Sequence, residues 1–367
     1  MRMLGIETSC DETSAAVVEE TGELARPWAI RSNVIASQTA IHREWGGVVP
    51  ELASRQHVRD ICGVVKGALR DADTAWRDLG AIAVTQGPGL VGSLLVGVSF
   101  AKAAAAAAGL PLVAVHHLAG HIESLVLQNG ELPLPSVVLV VSGGHTSLYL
   151  VDRPGRYQLL SRTRDDAAGE AYDKVAKLLG LGYPGGPVVD RLARNGNDRA
   201  IPLPTTRLTH ADRNAPELKG DLDFSFSGLK TAVLRYVRAR EQARTANDPA
   251  KTANDSRPLF TESEIGDICA SFQRLVVTAL IDRVFDAARR WNAQSIGVAG
   301  GVSANSRLRA ELQMRGERRE IPTFLPSLPL TTDNAAMIAA AGLRKFRAGV
   351  TAPSDLNADA ALGLSVD

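Results

Sequence analysis

A strand, a turn of small and polar residues and a second strand occur twice in this chain, about one lobe apart. The first copy joins a predicted strand at 3–7 to one at 14–18, and the second joins 136–141 to 147–151. Such an internal repeat decides the fold class before any single motif does, because two similar units are then expected to pack together. A length of 367 residues exceeds one ordinary core and suits two lobes. We therefore predict an α/β protein with two duplicated lobes.

Helical and strand patterns fill the remaining sequence. Apolar spacing predicts strands and helices in alternation, with buried strands at 81–85, 111–115 and 294–299 and helices at 50–72, 93–108, 169–179, 227–240, 263–290, 303–315 and 333–346. We expect an N-terminal lobe at 1–115, completed by helix 333–347, and a C-terminal lobe at 116–332. The polar segment 241–257 is predicted to be a mobile surface insertion, and the tail from 350 to lie over the surface.

Composition and charge restrict where the protein works. The formal net charge is only +1, so any contact with RNA must come from a local patch or from a partner. Three widely spaced cysteines offer no disulfide framework, which is typical of a reducing compartment. The first residues do not resemble a secretion signal, and no run of about 18 consecutive apolar residues appears. We expect a soluble, cytoplasmic protein that does not contact a membrane.

Three of the seven histidines occur within six residues, from 116 to 121. On a helix, His117 and His121 lie one turn apart on the same face, where two imidazoles can share a metal ion. Leu118 stands where a zinc peptidase of the HExxH type has its general-base Glu, so peptidase chemistry lacks its key group. Two surface histidines with separate hydrogen bonds are the alternative. We favour a metal site whose third ligand is a distant carboxylate that spacing alone does not identify.

Two glycine turns follow predicted buried strands and suit an anionic ligand. In the turn at 142–146, backbone N–H groups can approach a phosphate or carboxylate closely, because glycine carries no side chain. An ordinary tight hairpin is the alternative. The turn at 300–301 opens the next predicted helix in the same way, with Asn305 placed to bind a ribose or base. A βα loop in which Ser303 is the N-cap explains that second pattern equally.

Carboxylates and cations mark further candidate positions. Asp11 and Glu12 lie in the first turn, where they are either an acid–base pair and polar wall or solvated turn acids. Asp173 and Asp190 flank a Pro-Gly-Gly-Pro segment that fixes a turn, and they could bind sugar hydroxyls. The helix predicted from 227 carries four basic residues that could meet phosphates, although such runs are more often solvated surface.

Taken together, these motifs closely resemble the TsaD family of tRNA N6-adenosine threonylcarbamoyltransferases, over nearly the whole chain. The matching segments are GIETSCDETSAAV, TQGPGLVGSLLVG, HHLAGHIES, VSGGHTSL, DDAAGEAYDKVAKLLGLGYPGGP, FSFSGLKTA, AGGVSANSRLR and TDNAAMIAAAG. Several are long and all follow the family's order, which excludes chance agreement. The resemblance implies the two-lobed actin, sugar kinase and Hsp70-like (ASKHA) fold, in agreement with the duplication.

The resemblance also implies roles for individual residues. His117, His121 and Asp333 are expected to bind one divalent metal ion per subunit, iron or zinc. The donor substrate, threonylcarbamoyl-AMP, is expected to be held by Val140, Val141, Ser142, Gly143, Gly144, Asp173, Gly186, Asp190 and Asn305. Among these, Gly143 and Gly144 suit the anionic group and Asp190 the ribose. No general base is identified, so Asp11 and Glu12 remain the candidate catalytic acids.

The implied reaction is an acyl transfer to the N6 amine of adenosine 37, next to the anticodon, in tRNAs that read codons beginning with A. The product is N6-threonylcarbamoyladenosine (t6A). This amine is a poor nucleophile, so the site must hold it in line with the carbonyl, while the metal polarises that carbonyl and backbone amides share the developing charge. The implied partners are tRNA, an inert paralogue of the TsaB type, a small P-loop ATPase of the TsaE type and a synthase that supplies the donor.

Two other functions of the same superfold are alternatives. Small-molecule kinases of this fold usually carry an Asp-x-Gly-Thr first turn for Mg²⁺-ATP, whereas this chain has Glu7, Thr8 and Ser9 there and paired histidines with no kinase role. A non-catalytic nucleotide-binding scaffold would not need an intact set of metal ligands.

Overall fold

The computed structural model describes residues 1–205, 208, 220–247 and 258–364. Within these residues, ten strands form two sheets, and ten α-helices surround them. The strands are β1 (Arg2–Glu7), β2 (Glu12–Glu20), β3 (Trp28–Ser37), β4 (Leu79–Gly87), β5 (Leu112–His116), β6 (Ser136–Val141), β7 (Thr146–Arg153), β8 (Arg156–Arg162), β9 (Ser295–Ala299) and β10 (Thr323–Phe324). The helices are α1 (Thr39–Arg43), α2 (Pro50–Asp71), α3 (Val91–Ala108), α4 (His117–Asn129), α5 (Ala168–Leu178), α6 (Gly185–Ala193), α7 (Ser227–Asn247), α8 (Glu262–Arg290), α9 (Ser306–Arg318) and α10 (Ala335–Arg347).

Both sheets have the same strand order. The first runs β3-β2-β1-β4-β5, and the second, taken from its opposite end, runs β8-β7-β6-β9-β10. In each sheet the central strand pairs antiparallel with the strand that follows it and parallel with one reached through helices. The predicted duplication is therefore confirmed at the level of topology.

Local sequence accounts for several of these elements. The β6 segment is a run of β-branched and Leu residues buried on both faces, as expected for a central strand covered on each side by helices. Helix α2 begins with Pro50 at its first position, where the missing N–H costs nothing. Helix α8 begins with a capping box in which Thr261 and Glu264 satisfy each other's backbone N–H groups.

Helices α4 and α10 each leave one sheet and cover the other. Helix α4 follows β5 directly, yet its apolar side packs in a core with Val138, Val140 and Tyr149 of the second sheet. Helix α10 follows the second sheet, yet it packs with Met3 and Ala81 of the first. The two helices also contact each other. This crossing brings the beginnings of α4 and α10 together between the two sheets.

Close contact between α10 and the first sheet depends on glycine. A Cβ on Gly5 would lie 2.3 Å from the carbonyl oxygen of Ala335, and one on Gly342 would lie 2.5 Å from the Cβ of Ala83. Any larger residue would push the helix away from the strands. These glycines therefore set the depth at which the residues just before α10 enter the space between the lobes.

Helix α3 is, in the described part of the chain, the one helix long and apolar enough to cross a membrane by length and composition alone. Its mean hydropathy is 1.6, and one third of it is buried. It packs against β4 and α2 in the first lobe, as a core helix of a globular fold does. Val91 and Leu95 remain exposed on its outer side.

Some elements differ from the sequence predictions. Strands β3, β8 and β10 and helices α1 and α6 had no predicted counterpart. Strand β3 is an edge strand whose exposed polar residues hide its alternation, and α6 begins inside the Pro-Gly-Gly-Pro segment, which we took only as a turn. Helix α7 continues to Asn247, so residues 241–247 of the predicted insertion are helical, and residues 248–257 lie outside the described residues.

The C-terminal tail is more closely packed than expected. Leu356 is buried in the core of the first lobe. Ala352 N donates to the carbonyl of Leu112 at 2.7 Å, and Asp359 N donates to that of Gln86 at 2.9 Å. Since Leu112 belongs to the edge strand β5, the tail provides backbone donors that an exposed strand edge would otherwise lack.

Candidate active site

The helix expected at the paired histidines is present, and it begins exactly where strand β5 ends. His117 is the first residue of α4, and His121 follows one turn later. Their rings meet edge to face with centroids 4.7 Å apart. The residue before them, His116, caps the helix, because its Nδ1 accepts a hydrogen bond from Leu118 N. The two imidazoles therefore face the interior of the molecule rather than solvent.

Asp333 joins these histidines from the other end of the chain. It lies two residues before α10, and its Oδ1 is 3.2 Å from Nε2 of His121 and 3.5 Å from Nε2 of His117. One ligand atom from each of the three residues falls within a 4.8 Å span. The crossing of α4 and α10 thus assembles two nitrogens and one carboxylate into a cluster compatible with a metal site.

The buried state of His121 tests whether a cation fits here. Its side chain is fully buried, and neither ring nitrogen has a hydrogen-bond partner among the described residues. Although Nε2 lies 3.2 Å from Asp333, the alignment is not that of a hydrogen bond. Leaving such a group unsatisfied costs about 1–3 kcal/mol. A divalent cation bound by imidazole and carboxylate would satisfy it, so the three residues fit a metal ion.

Glu7 supports the cluster from behind. It is fully buried at the end of β1, and its Oε2 accepts from Nδ1 of His117 at 3.0 Å and from the Thr85 hydroxyl at 2.8 Å. Nε2 of His117 is then directed at Asp333. A histidine that binds a metal through one ring nitrogen usually donates its other N–H to a carboxylate in this way. Burial works to lower the pKa of His117, but Asp333 and Glu7 outweigh it and raise the pKa to about 9. The local field therefore favours positive charge.

Sequence reasoning did not assign Glu7 a role. The available signal was its position as the last residue of a buried strand that ends beside the predicted metal ligands. A carboxylate is rarely placed there without a partner. The partner itself, His117, is distant in sequence and could be found only after the fold was known.

The glycine turn between β6 and β7 forms an open cradle beside the cluster. A Cβ on Gly143 or Gly144 would meet no atom within 4 Å. The first turn of α5 packs against this turn, since Gly169 N donates to the carbonyl of Ser142 at 3.2 Å. Helix N-termini and glycine amides both favour anions. Val140 and Val141 are fully buried in β6, so only their backbone could contact a ligand.

His145 connects the cradle to the metal cluster. It follows Gly144, its backbone N donates to the Ser142 hydroxyl at 3.2 Å, and its ring centroid is 6.5 Å from that of His117. Burial, followed by the charge of His117, lowers the pKa of His145 to about 4. His145 belongs to the VSGGHTSL motif, but it was not predicted from sequence to be a site residue.

Asp173 and Gly186 lie at the beginning of α6. Asp173, on α5, accepts a hydrogen bond at 2.7 Å from the backbone N of Gly185, which is the first residue of α6. Burial raises the pKa of Asp173, while the amides of Gly185 and Gly186 act in the opposite direction. A Cβ on Gly186 would meet nothing within 4 Å, so this position opens to free space. The expected flanking of a turn is correct, with the addition that the turn starts a helix.

Asp190 and Asn305 belong to one buried hydrogen-bond network. Asp190 accepts from the Ser306 hydroxyl at 2.8 Å and from the Gln273 side chain at 3.2 Å. Asn305 donates to the Gln273 side-chain oxygen at 2.8 Å. It was expected one turn inside a helix, but it is the N-cap of α9, and Ser303 lies in the preceding 3₁₀ turn. Gln273 was missed, and its only signal was an amide inside an apolar helical run.

Asp11 and Glu12 are brought to the same region. Both are half-buried, Asp11 in the turn between β1 and β2 and Glu12 as the first residue of β2. Burial, with the charges of Asp11 and Asp333, raises the pKa of Glu12 well above its usual value. The charge of Asp11 also acts on Asp173 and Tyr183 of the second lobe. The acidic turn therefore faces both the cluster and the opposite lobe.

Two equivalent sheets joined by crossing helices, with a candidate metal cluster between them, define a protein of the ASKHA architecture. Solved full-length HypF, in its phosphate- and nucleotide-bound form, matches the chain with a TM-score of 0.56 and 11% sequence identity. The match covers 95% of this chain and 46% of that one. At this identity the likeness concerns the fold alone.

Sequence comparison then identifies the family. A family model described as TsaD, tRNA N6-adenosine threonylcarbamoyltransferase, matches residues 29–340. The enzyme of that name from Koribacter versatilis is 48% identical, covering 99% of this chain and 98% of its relative. One from Anaeromyxobacter sp. is 50% identical, covering 98% and 99%. The chain belongs to the TsaD family, and it is a transferase that forms t6A on tRNA. The kinase and scaffold alternatives are set aside.

Proposed function

We propose that this enzyme holds threonylcarbamoyl-AMP between its lobes, beside His117, His121 and Asp333, and transfers the acyl group to the N6 amine of adenosine 37 of tRNAs that read codons beginning with A. The observation that carries the proposal is the open glycine turn at 143–144, which adjoins the His-His-Asp cluster and the N-terminus of α5. An anionic donor is favoured there by backbone amides and by the helix dipole.

The donor's two ends call for different groups. Its carbamoyl and carboxylate end suits the amides of Gly143 and Gly144, which would share the negative charge that develops on the carbonyl oxygen. Its adenylate end suits Gly186, Asp190 and Asn305, because a buried carboxylate and a buried amide can bind ribose hydroxyls without competition from water. Val140, Val141 and Ser142 would contribute backbone, and Asp173 would hold the α6 amides in place.

The cluster suits either iron or zinc, since two imidazoles and one carboxylate ligate both. When bound, such an ion supplies Lewis-acid polarisation of the reacting carbonyl. Glu7 would keep the proton of His117 on Nδ1 and so fix the direction of the imidazole. The attacking amine must lose a proton, and Glu12, with its raised pKa, and its neighbour Asp11 are the candidate acceptors.

The partners inferred from the family suit an assembly in the cytoplasm. The net charge of +1 supports the view that tRNA is held by the assembly rather than by this chain alone. A small P-loop ATPase of the TsaE type and a synthase that supplies the donor complete the set. The division into a lobe of 1–115 with helix 333–347 and a lobe of 116–332 is supported by the packing of α10 on the first sheet.

We place the inert TsaB-type paralogue on the outer face of α2 and α3. Val58, Val91 and Leu95 are exposed there, with Val58 64% and Val91 56% exposed. Val91 and Leu95 lie one turn apart on α3, and Val58 lies on α2, which packs against α3. Exposed apolar residues on packed helices suit an interaction surface. Val58→Asp and Leu95→Asp are expected to prevent heterodimer formation in size-exclusion chromatography. Met314→Asp is the control, because Met314 is also an exposed apolar residue but lies in the other lobe. Equal behaviour of all three variants would contradict this placement.

The activity is tested by mixing the chain and its partners with unmodified tRNA, threonylcarbamoyl-AMP and metal. The tRNA is then digested, and t6A is detected among the nucleosides by mass spectrometry. His117→Ala and Asp333→Ala should lose both t6A and bound metal, the latter measured by elemental analysis. Asp152→Asn, which alters an exposed ion pair in β7, should retain both. Absence of t6A with the wild-type assembly would refute the function, and normal metal content in the two variants would refute the metal site.

A further inference from the structure

Trp45 is the most exposed of the four tryptophans. It lies in the loop between α1 and α2, and its side chain is 61% exposed. A single exposed apolar residue needs no explanation by itself. What distinguishes Trp45 is the way in which its loop is held and the groups that surround it.

The loop is held by a buried histidine. His42 is fully buried, and its Nδ1 accepts a hydrogen bond from Val49 N at 3.3 Å, while its Nε2 lies 3.2 Å from the side-chain oxygen of Gln38. The carbonyl of His42 accepts from Trp45 N at 3.1 Å. The loop is thus fixed to one buried residue, Val49 through the His42 side chain and Trp45 through the His42 carbonyl, so the exposed ring stands on a defined support.

The same support reaches the acidic turn of the active site. Gln38 N donates to the carbonyl of Asp11 at 3.0 Å. The Gln38 side chain also lies 3.4 Å from Nδ1 of His57, whose Nε2 is 3.0 Å from the carbonyl of Cys10. A chain of hydrogen bonds therefore connects the loop of Trp45 to the segment that carries Asp11 and Glu12.

Two cations lie near the loop of Trp45, at the edge of the space between the lobes. Arg43 Nε donates to the carbonyl of Tyr183 in the second lobe at 3.3 Å. A Cβ on Gly46 would lie 3.6 Å from Nζ of Lys177, which is one turn beyond Asp173 on α5. Within the described residues, neither cation has a carboxylate at ion-pair distance. An exposed aromatic residue, a cation two positions before it and a cation that faces the next residue thus lie where the two lobes face each other.

These features suit a nucleic acid. The acceptor adenine lies in a tRNA loop, and its N6 amine can reach a donor between the lobes only if the base leaves its stack. Proteins receive unstacked bases on aromatic side chains and bind the adjoining phosphates with cations. We propose that Trp45 stacks on the acceptor adenine of the tRNA anticodon loop when this base leaves its stack, with Arg43 and Lys177 on the neighbouring phosphates. This inference rests on the proposed placement of the donor between the lobes.

The test is single-turnover transfer from preformed threonylcarbamoyl-AMP to an anticodon stem-loop, with the paralogue present and the P-loop ATPase left out. Trp45→Ala should weaken stem-loop binding by about 5- to 150-fold, which corresponds to the loss of one base–aromatic stack. Binding of the donor, measured by calorimetry, should be unchanged. Trp45→Phe should restore most of the affinity. A failure of the proposed donor site would instead abolish donor binding in the wild-type protein.

The control is Trp76→Ala. Trp76 is also exposed, but it precedes β4, whereas the acidic turn and the metal cluster adjoin the carboxyl ends of β1 and β5. A stem-loop with 2-aminopurine at position 37 adds a direct signal, since stacking on Trp45 should quench its fluorescence in the wild type and not in Trp45→Ala. Arg43→Gln and Lys177→Gln should each lower the slope of log affinity against log salt by about 0.7. Unchanged stem-loop affinity in Trp45→Ala, or a defect seen only when the ATPase is added, would overturn the proposal.

Discussion

A buried ion pair joins the two crossing helices and offers a sharp test of how the lobes are held together. Glu123 of α4 accepts from Arg344 of α10 through both oxygens, at 2.6 and 3.0 Å. It also accepts from the Tyr157 hydroxyl at 3.1 Å and from Trp28 Nε1 at 3.3 Å. Glu123 is 2% exposed. Because the candidate metal ligands lie at the beginnings of these same helices, this pair and the cluster connect the lobes at two points.

Replacing Glu123 with Gln removes the charge at nearly constant volume and leaves Arg344 without its main partner. Breaking a buried pair in this way costs about 3–5 kcal/mol. Arg344 keeps Glu131 at 2.9 Å, which is partly exposed, so we expect the lower end of that range, about 3 kcal/mol. Replacing both members of the pair with Leu should recover much of the loss, because two apolar side chains carry no desolvation cost.

Urea unfolding followed by circular dichroism would measure these changes. Arg156→Ala is the matched control, since it breaks an exposed pair with Asp152 and should cost less than about 1 kcal/mol. The metal dissociation constant should also rise in Glu123→Gln, because the helices that carry the ligands are less firmly joined. A Glu123→Gln variant no less stable than Arg156→Ala would refute the reasoning.

Three further predictions follow from the packing. Gly143→Val should raise the KM for the donor severalfold with little change in stability, since its side chain would enter the open cradle; an unchanged KM would place the donor elsewhere. Gly5→Ala should cost about 1–3 kcal/mol in thermal unfolding, because its Cβ would meet the Ala335 carbonyl at 2.3 Å, and a neutral result would contradict this packing. At pH 8 a thiol reagent should label exposed Cys62, while Cys269 stays protected because burial raises its pKa to about 12. Mass spectrometry of the labelled protein would identify the labelled residue, and faster labelling of Cys269 than of Cys62 would contradict the prediction. Binding of the paralogue should slow the reaction at Cys62.

Much of the architecture was predictable because its signals are local. The predicted turns at 8–13 and 142–146 repeat one pattern, and both sheets have the strand order that this repeat implies. Buried strands such as β6 were predicted within a residue or two, since apolar β-branched runs have few other uses. The edge strand β3 was missed for the opposite reason, because its polar, half-exposed residues give no clear alternation.

Those parts of the candidate site whose residues are close together in the sequence could be predicted, and the parts that depend on distant residues could not. His117 and His121 could be paired from helical spacing alone, and the glycines at 143–144 from their position after a strand. Asp333 was assigned only through resemblance, because nothing in its surroundings distinguishes it from other acids. Glu7 and Gln273 were not assigned at all, since their partners come from other parts of the chain.

The duplication, the family and the two histidines of the candidate metal cluster could be predicted from sequence, because each of these depends on residues that are close together or on motifs in a given order. The folded chain was needed to show that Asp333, which was named through resemblance, lies beside the two histidines. It was also needed to find that Glu7 orients His117 and to locate Trp45 relative to the opposite lobe. The physical reason is the crossing of α4 and α10. Each helix leaves its own sheet to bury its apolar side against the other, so residues from opposite ends of the chain come within 3.2 Å.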